Sequence, residues 1–244
     1  MPVKPIQSAS RVLAALEAVA HRQPIGLSEL SRHMGLDKSA LQRVILTLVN
    51  EGWLRAAPGR PVRWELTPRL IAVAHAGLYS FDLRKRARST LEALRNRLGE
   101  TILLNVPDGP TFVVLDVLEC DNVLRMAPRV GITVEPRLSA TGRAILAHLP
   151  PERQAEFLGS PPDEQLQAVY ALTRERGYAT SIGEILKGNA NIAAPVFDSN
   201  GMPVAAIVAG GPAERFGPDA QARIGQEVRE AALALSEATP FLPG

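Results

Sequence analysis

The segment GLDKSALQRVILTLVNEGWL, residues 35–54, constrains the fold more than any other part of the sequence. Its apolar residues recur at the spacing of a helix that packs one face into a core. The residues of this stripe are Leu41, Val44, Ile45, Leu48 and Val49. On the opposite face, the first two turns carry only side chains that donate hydrogen bonds. Core packing explains the first face and leaves the second without a role.

A second helix precedes this segment closely. The sequence LSELSRHMG is predicted to form a helix with Ser28 as its N-cap. We expect that helix to end at Gly35, because glycine adopts the left-handed conformation that ends helices. Asp37 is predicted to cap the next helix, three residues after Met34. Two helices joined by so short a turn form a helix-turn-helix, and a further helix is predicted from about Ser8 to Ala20.

A predicted hairpin follows the helix-turn-helix. The sequence WLRAAPGRPVRWEL alternates as two strands do, around a turn at residues 58–61. A hairpin in this place is the wing of a winged helix. Thr67 is a typical N-cap residue and Pro68 a typical first helical residue, so a further helix is predicted to begin here. The sequence therefore predicts a DNA-binding domain over residues 1–68, a linker helix over residues 69–81 and a second domain over residues 82–244.

Positive charge is concentrated in the first third of the chain. Residues 1–70 contain ten lysines and arginines and five aspartates and glutamates, a net charge of +5, whereas the remainder has a net charge of −3. Such a field favours a polyanionic partner. The first turns of the second helix of a helix-turn-helix enter the major groove of DNA. The predicted DNA-binding residues are Lys38, Ser39, Gln42 and Arg43 on that helix and Arg60 and Arg63 on the wing.

Each predicted DNA contact has its own chemistry. Arg43 is suited to pair with guanine and Gln42 with adenine. Lys38 and Ser39 suit phosphates or bases, and the wing arginines suit phosphates. A solvated helix face without a partner is the alternative interpretation of the same four helical residues. The wing and the positive charge favour DNA binding over that alternative.

From residue 82 the pattern changes to short strands flanked by helices. The predicted strands are TILLNVP, TFVVLDVLE, VLRMAP and ANIAAPVFDSNGMPVAAIVAG. In the last of these, Asn200 and Gly201 are predicted to form a tight turn with both residues at positive φ. The predicted helices are LRKRARSTLEALRNRLG, SATGRAILAHLP, PERQAEFLG, PDEQLQAVYALTRERGYA and the C-terminal GPDAQARIGQEVREAALALSEA. Without a regular alternation of strand and helix, an α+β domain around a mostly antiparallel sheet is expected.

Several classes of protein are disfavoured by what the sequence lacks. It has no run of 18 apolar residues and no signal-peptide core, so we expect a cytoplasmic protein without a membrane partner. A single cysteine, Cys120, excludes an intrachain disulfide. The four histidines lack the spacing of metal ligands, and no hydrolase or phosphate-loop motif is present. No enzymatic activity, metal or cofactor is therefore expected.

Seven segments, taken in order, resemble the IclR-type bacterial transcriptional regulators. They are SRVLAALEAVA, LSELSRHMGLDKSALQRVILTLVNEGWL, LRKRARSTLEALRNRLGETILLNV, SATGRAILAHLP, RERGYA, IAAPVFDSNGMPVAAIVAGGP and the terminal helix. The resemblance covers almost the whole chain. It implies a winged helix-turn-helix, a linker helix and an effector domain of GAF-like fold. It also implies a small organic effector, homodimers through the DNA-binding domains and often dimers of dimers, and two-fold symmetry then predicts a roughly palindromic operator.

The resemblance also implies an effector site between the sheet and the loops that cover it. The matching positions are Ser139, Ala140, Thr141 and Gly142 at a helix start, Ser181, a loop holding Asn189 and Asn191, and Val208 and Gly210 on a late strand. Free N–H groups at that helix start favour a carboxylate, although Ser139 and Thr141 are also ordinary cap residues. Val208 and Gly210 are expected to leave a roomy apolar wall. This favours an aromatic or similarly bulky acid over glyoxylate.

Two other hypotheses remain open on the sequence alone. A winged-helix regulator of the GntR type would carry an all-helical, metal-binding effector domain, against which the strand-forming segments argue. A winged-helix module that binds protein would show no salt-dependent affinity for DNA.

Overall fold

The computed structural model describes residues 5–77 and 79–239 of the 244-residue chain. The chain divides into two compact units, residues 1–78 and 79–244. The elements of the first unit are α1 Gln7–Arg22, β1 Ile25–Gly26, α2 Leu27–Met34, α3 Lys38–Asn50, β2 Leu54–Ala56, β3 Arg63–Leu66 and α4 Arg69–Gly77. The domain limits at residues 68 and 81 remain predictions, since α4 lies within the first unit and the second begins with another helix.

The predicted stripe of α3 forms the centre of the first unit. Leu41, Ile45 and Leu48 are fully buried, and they pack with Leu30 of α2 and Val19 of α1. A three-stranded antiparallel sheet in the order β1-β3-β2 lies beside the helices. The burial of one face of α3 leaves its other face free to meet a partner.

The start of α2 differs from the prediction. The helix begins at Leu27, with Gly26 and not Ser28 in the cap position. β1 pairs with β3 immediately before the helix, so the chain turns into α2 two residues earlier than a serine cap would allow. The Glu29 carboxylate accepts the Gly26 N–H at 3.3 Å and takes over part of the capping. The predicted end at Gly35 is confirmed, with φ of 61°.

The second unit is an α+β domain, as predicted. Its elements are α5 Tyr79–Leu98, β4 Thr101–Asp108, β5 Thr111–Leu118, β6 Thr133–Val134, α6 Ala140–Leu146, α7 Pro151–Leu158, α8 Glu164–Arg176, β7 Ala179–Ile182, β8 Asn189–Phe197, β9 Pro203–Pro212 and α9 Pro218–Glu237. The six strands form one antiparallel sheet in the order β6-β5-β4-β9-β8-β7. This sheet excludes the all-helical effector domain of the alternative hypothesis.

The two faces of this sheet have different neighbours. Alternate residues of β4, such as Ile102 and Leu104, pack with α5 and α9 in the main core. The residues between them belong to the other face, where Leu103 packs with Val208 of β9 and with Ala144 of α6. Successive side chains of a strand point to opposite faces, so β4 separates a helical core from the side on which α6 lies.

Three predictions of local secondary structure in the second unit are wrong. The segment VLRMAP, residues 123–128, forms no strand, and its Val123 is fully exposed. Asn189 and Asn191 lie in β8 and not in a loop, because Asn191 pairs with both β7 and β9. Only Gly201 has positive φ in the β8–β9 connection. There the Asp198 carboxylate accepts the N–H groups of Asn200 and Met202, and this hydrogen bonding replaces the predicted two-residue turn.

None of the helices in the described ranges, 5–77 and 79–239, is long and apolar enough to span a membrane.

Candidate nucleic-acid interface and ligand cavity

The polar face of α3 is exposed along its first two turns. Lys38, Ser39, Gln42 and Arg43 are all exposed, on the side opposite the buried stripe. Arg43 also borders a shallow groove between α1 and α3, beside Arg11. Within the ranges 5–77 and 79–239, neither Lys38 nor Arg43 is paired with a carboxylate. Their charges are therefore available to a ligand outside the chain.

The start of α3 is held by the predicted cap. The Asp37 carboxylate accepts the N–H of Ser39 at 2.9 Å and of Ala40 at 3.3 Å, and it also accepts a short hydrogen bond from the Ser39 hydroxyl. That hydroxyl, followed by the two N–H groups, lowers the pKa of Asp37 below its ordinary value. Ser39 is therefore turned toward the cap, and a DNA contact from its hydroxyl would compete with this bond.

The two wing arginines have different surroundings. Arg60 is exposed in the hairpin connection between β2 and β3. Arg63, by contrast, donates to the Pro24 carbonyl at 2.8 Å and to the Glu29 carboxylate at 2.7 Å. The Gly26 N–H and then Arg63 lower the pKa of Glu29. Arg63 thus joins β3 to the start of α2, whereas Arg60 links no two elements in the described part of the chain.

A cavity of about 540 Å³ lies on the α6 side of the second unit's sheet. Seven of the nine residues predicted for the effector site line it: Ser139, Ala140, Thr141, Ser181, Asn189, Asn191 and Val208. They come from α6 and its cap, from β7, β8 and β9. Apolar residues of β4, β5, β6 and the β5–β6 connection also line it, namely Leu103, Val114, Met126, Ile132 and Val134, together with charged residues that include Arg125, Glu135 and Glu184. The volume is in the range of pockets for small organic ligands.

Gly142 and Gly210 are not among the lining residues. A Cβ on Gly142 would lie 1.8 Å from the Pro136 carbonyl oxygen, so this glycine permits α6 to contact the preceding loop. A Cβ on Gly210 would lie 2.7 Å from Asn191 Oδ1 and 2.8 Å from Met126 Cε. The expectation of open space beside Gly210 is wrong, because these two side chains already fill it. The cavity is consequently narrower at this end than the sequence indicated.

The start of α6 is a smaller source of free N–H groups than expected. The helix has seven residues, and the Ser139 hydroxyl, in the cap position, accepts the Gly142 N–H at 2.9 Å. Ser139 therefore has the capping role that its residue type also predicted. Arg125 also lines the cavity, and its guanidinium pairs with Glu119 at 2.7 Å.

A second ion pair borders the cavity. Arg143 of α6 donates to Glu184 and to the Thr180 carbonyl, at 2.6 Å and 2.8 Å. Glu184 belongs to the β7–β8 connection, whose Ile185 and Leu186 also line the cavity. Arg143 is 8% exposed. The pair joins α6 to the connection that forms one rim of the cavity, and no part of the sequence pattern had indicated it.

Two cavity residues hold buried polar atoms without a partner in the part of the chain that the structure describes. They are Asn105 Oδ1 and Ser181 Oγ. Asn105 lies in β4 within the apolar run TILLNVP and is not among the residues predicted for the effector site. A polar residue at an alternating, buried strand position was the available signal. Buried polar atoms normally have a partner, so these atoms mark places where a ligand has something to bind.

Two side chains of chemically reactive types, His148 and Cys120, have structural surroundings. His148 lies edge-on to Phe197, with 5.0 Å between ring centroids, and burial followed by the charge of Arg174 lowers its pKa. Cys120 is buried beside the Thr101 hydroxyl, 3.8 Å from its Sγ. Both are therefore packed within the second unit and not presented at the cavity.

Two family models match this chain. Residues 8–58 match the IclR helix-turn-helix domain, and residues 75–237 match the model described as bacterial transcriptional regulator IclR C-terminal. The second match alone covers more than half of the chain.

Individual relatives match along nearly their whole length. The transcriptional repressor IclR of Escherichia coli is 29% identical, with 93% of this chain and 88% of that protein covered. The glycerol operon regulatory protein of Streptomyces griseus is 29% identical, with 95% of each covered. Among solved structures, an IclR homologue from Microbacterium hydrocarbonoxydans complexed with 4-hydroxybenzoate has 25% identity and a TM-score of 0.78, covering 95% of this chain and all of that one. The Thermotoga maritima IclR structure shares the fold, with 24% identity, a TM-score of 0.77 and coverage of 95% and 98%.

Proposed function

This chain is a DNA-binding transcriptional regulator of the IclR family with a C-terminal effector-binding domain, and we propose that its effector is a carboxylic acid with a bulky, apolar body. The observation that carries the proposal is the cavity of about 540 Å³ on the sheet of the second unit. Apolar side chains such as Leu103, Val114 and Val208 line it together with polar side chains such as Asn105, Asn189 and Asn191. Pockets for organic ligands have this composition, in which a few polar groups fix the orientation of the ligand.

On the DNA side, we propose that Gln42 and Arg43 read base edges and that Lys38 contacts the phosphate backbone. These residues are exposed on the first turns of α3, and the capped start of α3 orients them. Arg60 is proposed as a phosphate contact of the wing. For Arg63 and Ser39 the same role is proposed with a condition: each must leave or share its present partner, Glu29 or Asp37.

On the effector side, the register of the sheet supports a ligand with two polar ends. In the sheet, Asn191 lies between Ser181 of β7 and Gly210 of β9. Gly210 in turn pairs with Thr101 of β4. The Thr101 hydroxyl donates to the Met126 carbonyl at 2.6 Å. Asn189 is two residues from Asn191 on the same strand, and Arg125 precedes Met126. We propose that the carboxylate lies at this end, where amide and guanidinium groups donate. The paired Leu103 and Val208 lie next along the strands and would contact the apolar body.

The body of the ligand is proposed to be aromatic or of similar size. A two- or three-carbon oxo acid would leave most of the cavity unfilled, and each methylene-sized void forfeits contacts that stabilise the complex. The related protein that is complexed with 4-hydroxybenzoate supports this size class. Ser139, Ala140 and Thr141 are proposed as contacts of the body and of the end opposite to Asn191.

A thermal-shift screen tests this proposal. We expect benzoate or 4-hydroxybenzoate to raise the melting temperature more than glyoxylate or pyruvate, because binding to the native state adds RT ln(1 + [L]/Kd), about 2.7 kcal/mol at a hundredfold excess over Kd. The same acid should change the affinity for an operator found by footprinting of the purified protein. Greater stabilisation by the small oxo acids would contradict the proposed size class.

A matched pair of variants shows whether the shift comes from this cavity. Val208→Leu adds a methylene to the cavity lining, and we expect it to weaken the acid by about tenfold or more while the unliganded protein stays folded. Val130→Leu makes the same chemical change at a residue 48% exposed and outside the lining. Equal weakening in both variants would place the binding site elsewhere.

A further inference from the structure

We infer that Asn105, together with Thr141, selects an effector that carries a hydroxyl group at the end of the cavity formed by β4 and α6. This inference rests on the proposed function, since it specifies the ligand of the same cavity. It concerns a residue that the family resemblance does not single out and a ligand group other than the carboxylate.

The Asn105 side chain is buried, and its amide is oriented by Thr141. Asn105 is 1% exposed, and its Nδ2 donates to the Thr141 hydroxyl oxygen at 2.7 Å. A side-chain amide is planar and offers its donors and its acceptor on opposite edges. With Nδ2 directed to Thr141, Oδ1 is left as an acceptor, and it has no partner among residues 5–77 and 79–239. Thr141 beside it is likewise buried, with 2% of its surface exposed.

Thr141 has a hydrogen-bonding capacity complementary to that of Asn105. Its oxygen accepts from Asn105, and its own O–H proton remains to be donated. Both residues line the cavity, so one acceptor and one donor remain close together beside it. A hydroxyl group is the smallest ligand group that donates and accepts at once. It would donate to Asn105 Oδ1 and accept from the Thr141 hydroxyl.

Asn105 and Thr141 together disfavour ligand groups that do not both donate and accept hydrogen bonds. A carboxylate or an ether only accepts, so its oxygen would face Asn105 Oδ1 with no proton between them. A methyl group would leave the buried amide oxygen unpaired, which costs binding free energy. Because Asn105 pairs with Ala206 and lies four residues along β4 from Thr101, this end is distinct from the end proposed for the carboxylate. The inferred effector class is a hydroxy acid with the two groups separated by its apolar body.

Three small neutral probes test the inference without any carboxylate. Phenol donates and accepts, anisole only accepts, and toluene has nearly the shape of phenol but no hydrogen-bonding group. Their binding to the full-length protein can be measured by ligand-observed NMR with competition. We expect phenol to be preferred over anisole, and the toluene-to-phenol ratio of Kd to fall by about five- to tenfold in Asn105→Leu, the range of one lost hydrogen bond.

Controls separate this role from a structural one. Thr173→Val removes a buried hydroxyl of α8 that is bonded within its helix and lies outside the cavity, so the ratio should not change. The double variant Asn105→Leu/Thr141→Val removes both partners, and we expect its resistance to urea to equal or exceed that of the natural protein, because an unpaired buried amide opposes folding. The single variant Thr141→Val tests the same toluene-to-phenol ratio of Kd by removing the other hydrogen-bonding partner.

Each outcome decides the inference. Equal affinity for phenol and anisole means that the amide presents Nδ2 to the cavity and overturns it. An unchanged toluene-to-phenol ratio in Asn105→Leu, or no binding of phenol to the natural protein, also overturns it. A double variant that is strongly destabilised with an unchanged ratio assigns Asn105 to folding alone. These results are independent of the acid screen, which can support the proposed function even when the hydroxyl inference fails.

Discussion

At the scale of single residues, the exposed face of α3 leads to a direct prediction. Replacing Gln42 or Arg43 by alanine should weaken operator binding by about 1 to 3 kcal/mol and weaken binding to random DNA much less, because base contacts carry sequence information. Competition binding with operator and random duplexes of equal length measures both losses. Equal losses on the two duplexes would make these residues phosphate contacts.

The wing arginines provide the opposite expectation. Arg60→Ala should weaken binding to all duplexes alike and make the dependence of affinity on salt shallower, because fewer counterions are released. Arg63→Ala also removes the contact with Glu29, so Glu29→Gln is its matched control. If Glu29→Gln reproduces the loss seen in Arg63→Ala, Arg63 acts by positioning the wing and not by touching DNA.

Predictions for single residues were correct where the outcome depends only on residues that are neighbours in the sequence. Asp37 caps α3 and Gly35 ends α2, because each depends on the backbone of its immediate neighbours. Asn105 was missed because its importance arises from Thr141, 36 residues away. Gly210 was misread for the same kind of reason. The space beside a glycine depends on other segments, here Asn191 and Met126, and the sequence around the glycine does not reveal them.

At the scale of elements, the contact of α6 with the loop before it makes a testable prediction. Gly142→Ala would place a Cβ 1.8 Å from the Pro136 carbonyl oxygen, so the helix and the loop must separate. We expect a loss of about 1 to 3 kcal/mol in the free energy of unfolding. Chemical unfolding followed by circular dichroism measures it.

The control for this change is another glycine beside a helix. Gly217 caps α9, has φ of −61°, and a Cβ there would meet no atom within 4 Å. Gly217→Ala should therefore cost less than about 1 kcal/mol, since only the cap preference changes. Similar losses in the two variants would show that close packing against Pro136 is unimportant.

Helices were predicted more successfully than strands, for a physical reason. A helix such as α3 is stabilised by hydrogen bonds and side-chain periodicity within one segment. A strand needs a partner: VLRMAP has strand-like composition, yet the sheet forms its edge at Thr133–Val134 instead. The reverse error occurred for Asn189 and Asn191. Their composition is typical of loops, but β7 and β9 pair with them on both sides.

At the scale of the whole molecule, the family membership of both parts leads to a prediction about assembly. One α3 helix reads only a few base pairs, so specificity in a genome requires at least two copies on a roughly palindromic site. Equilibrium sedimentation should therefore show a dimer or a tetramer. A monomer that binds an asymmetric site with full affinity would contradict this expectation.

The order of the motifs along the chain was sufficient to predict the family, and the family model matches then confirmed it. The sequence alone was also sufficient for the α+β class of the second unit. It was insufficient for the ligand, because the cavity is lined by side chains from strands, helices and connections that lie far apart in sequence. Volume and unpaired atoms are properties of that assembly.

The alternation along β4 limits how the ligand preference of such a protein can change during evolution. Leu103 and Asn105 face the cavity, while Ile102 and Leu104 belong to the core with α5 and α9. An insertion or deletion of one residue in this strand would exchange the two sets and place a polar amide in the helical core. New ligand preferences in this lineage should therefore arise through point substitutions at cavity positions of β4, with the length of the strand unchanged.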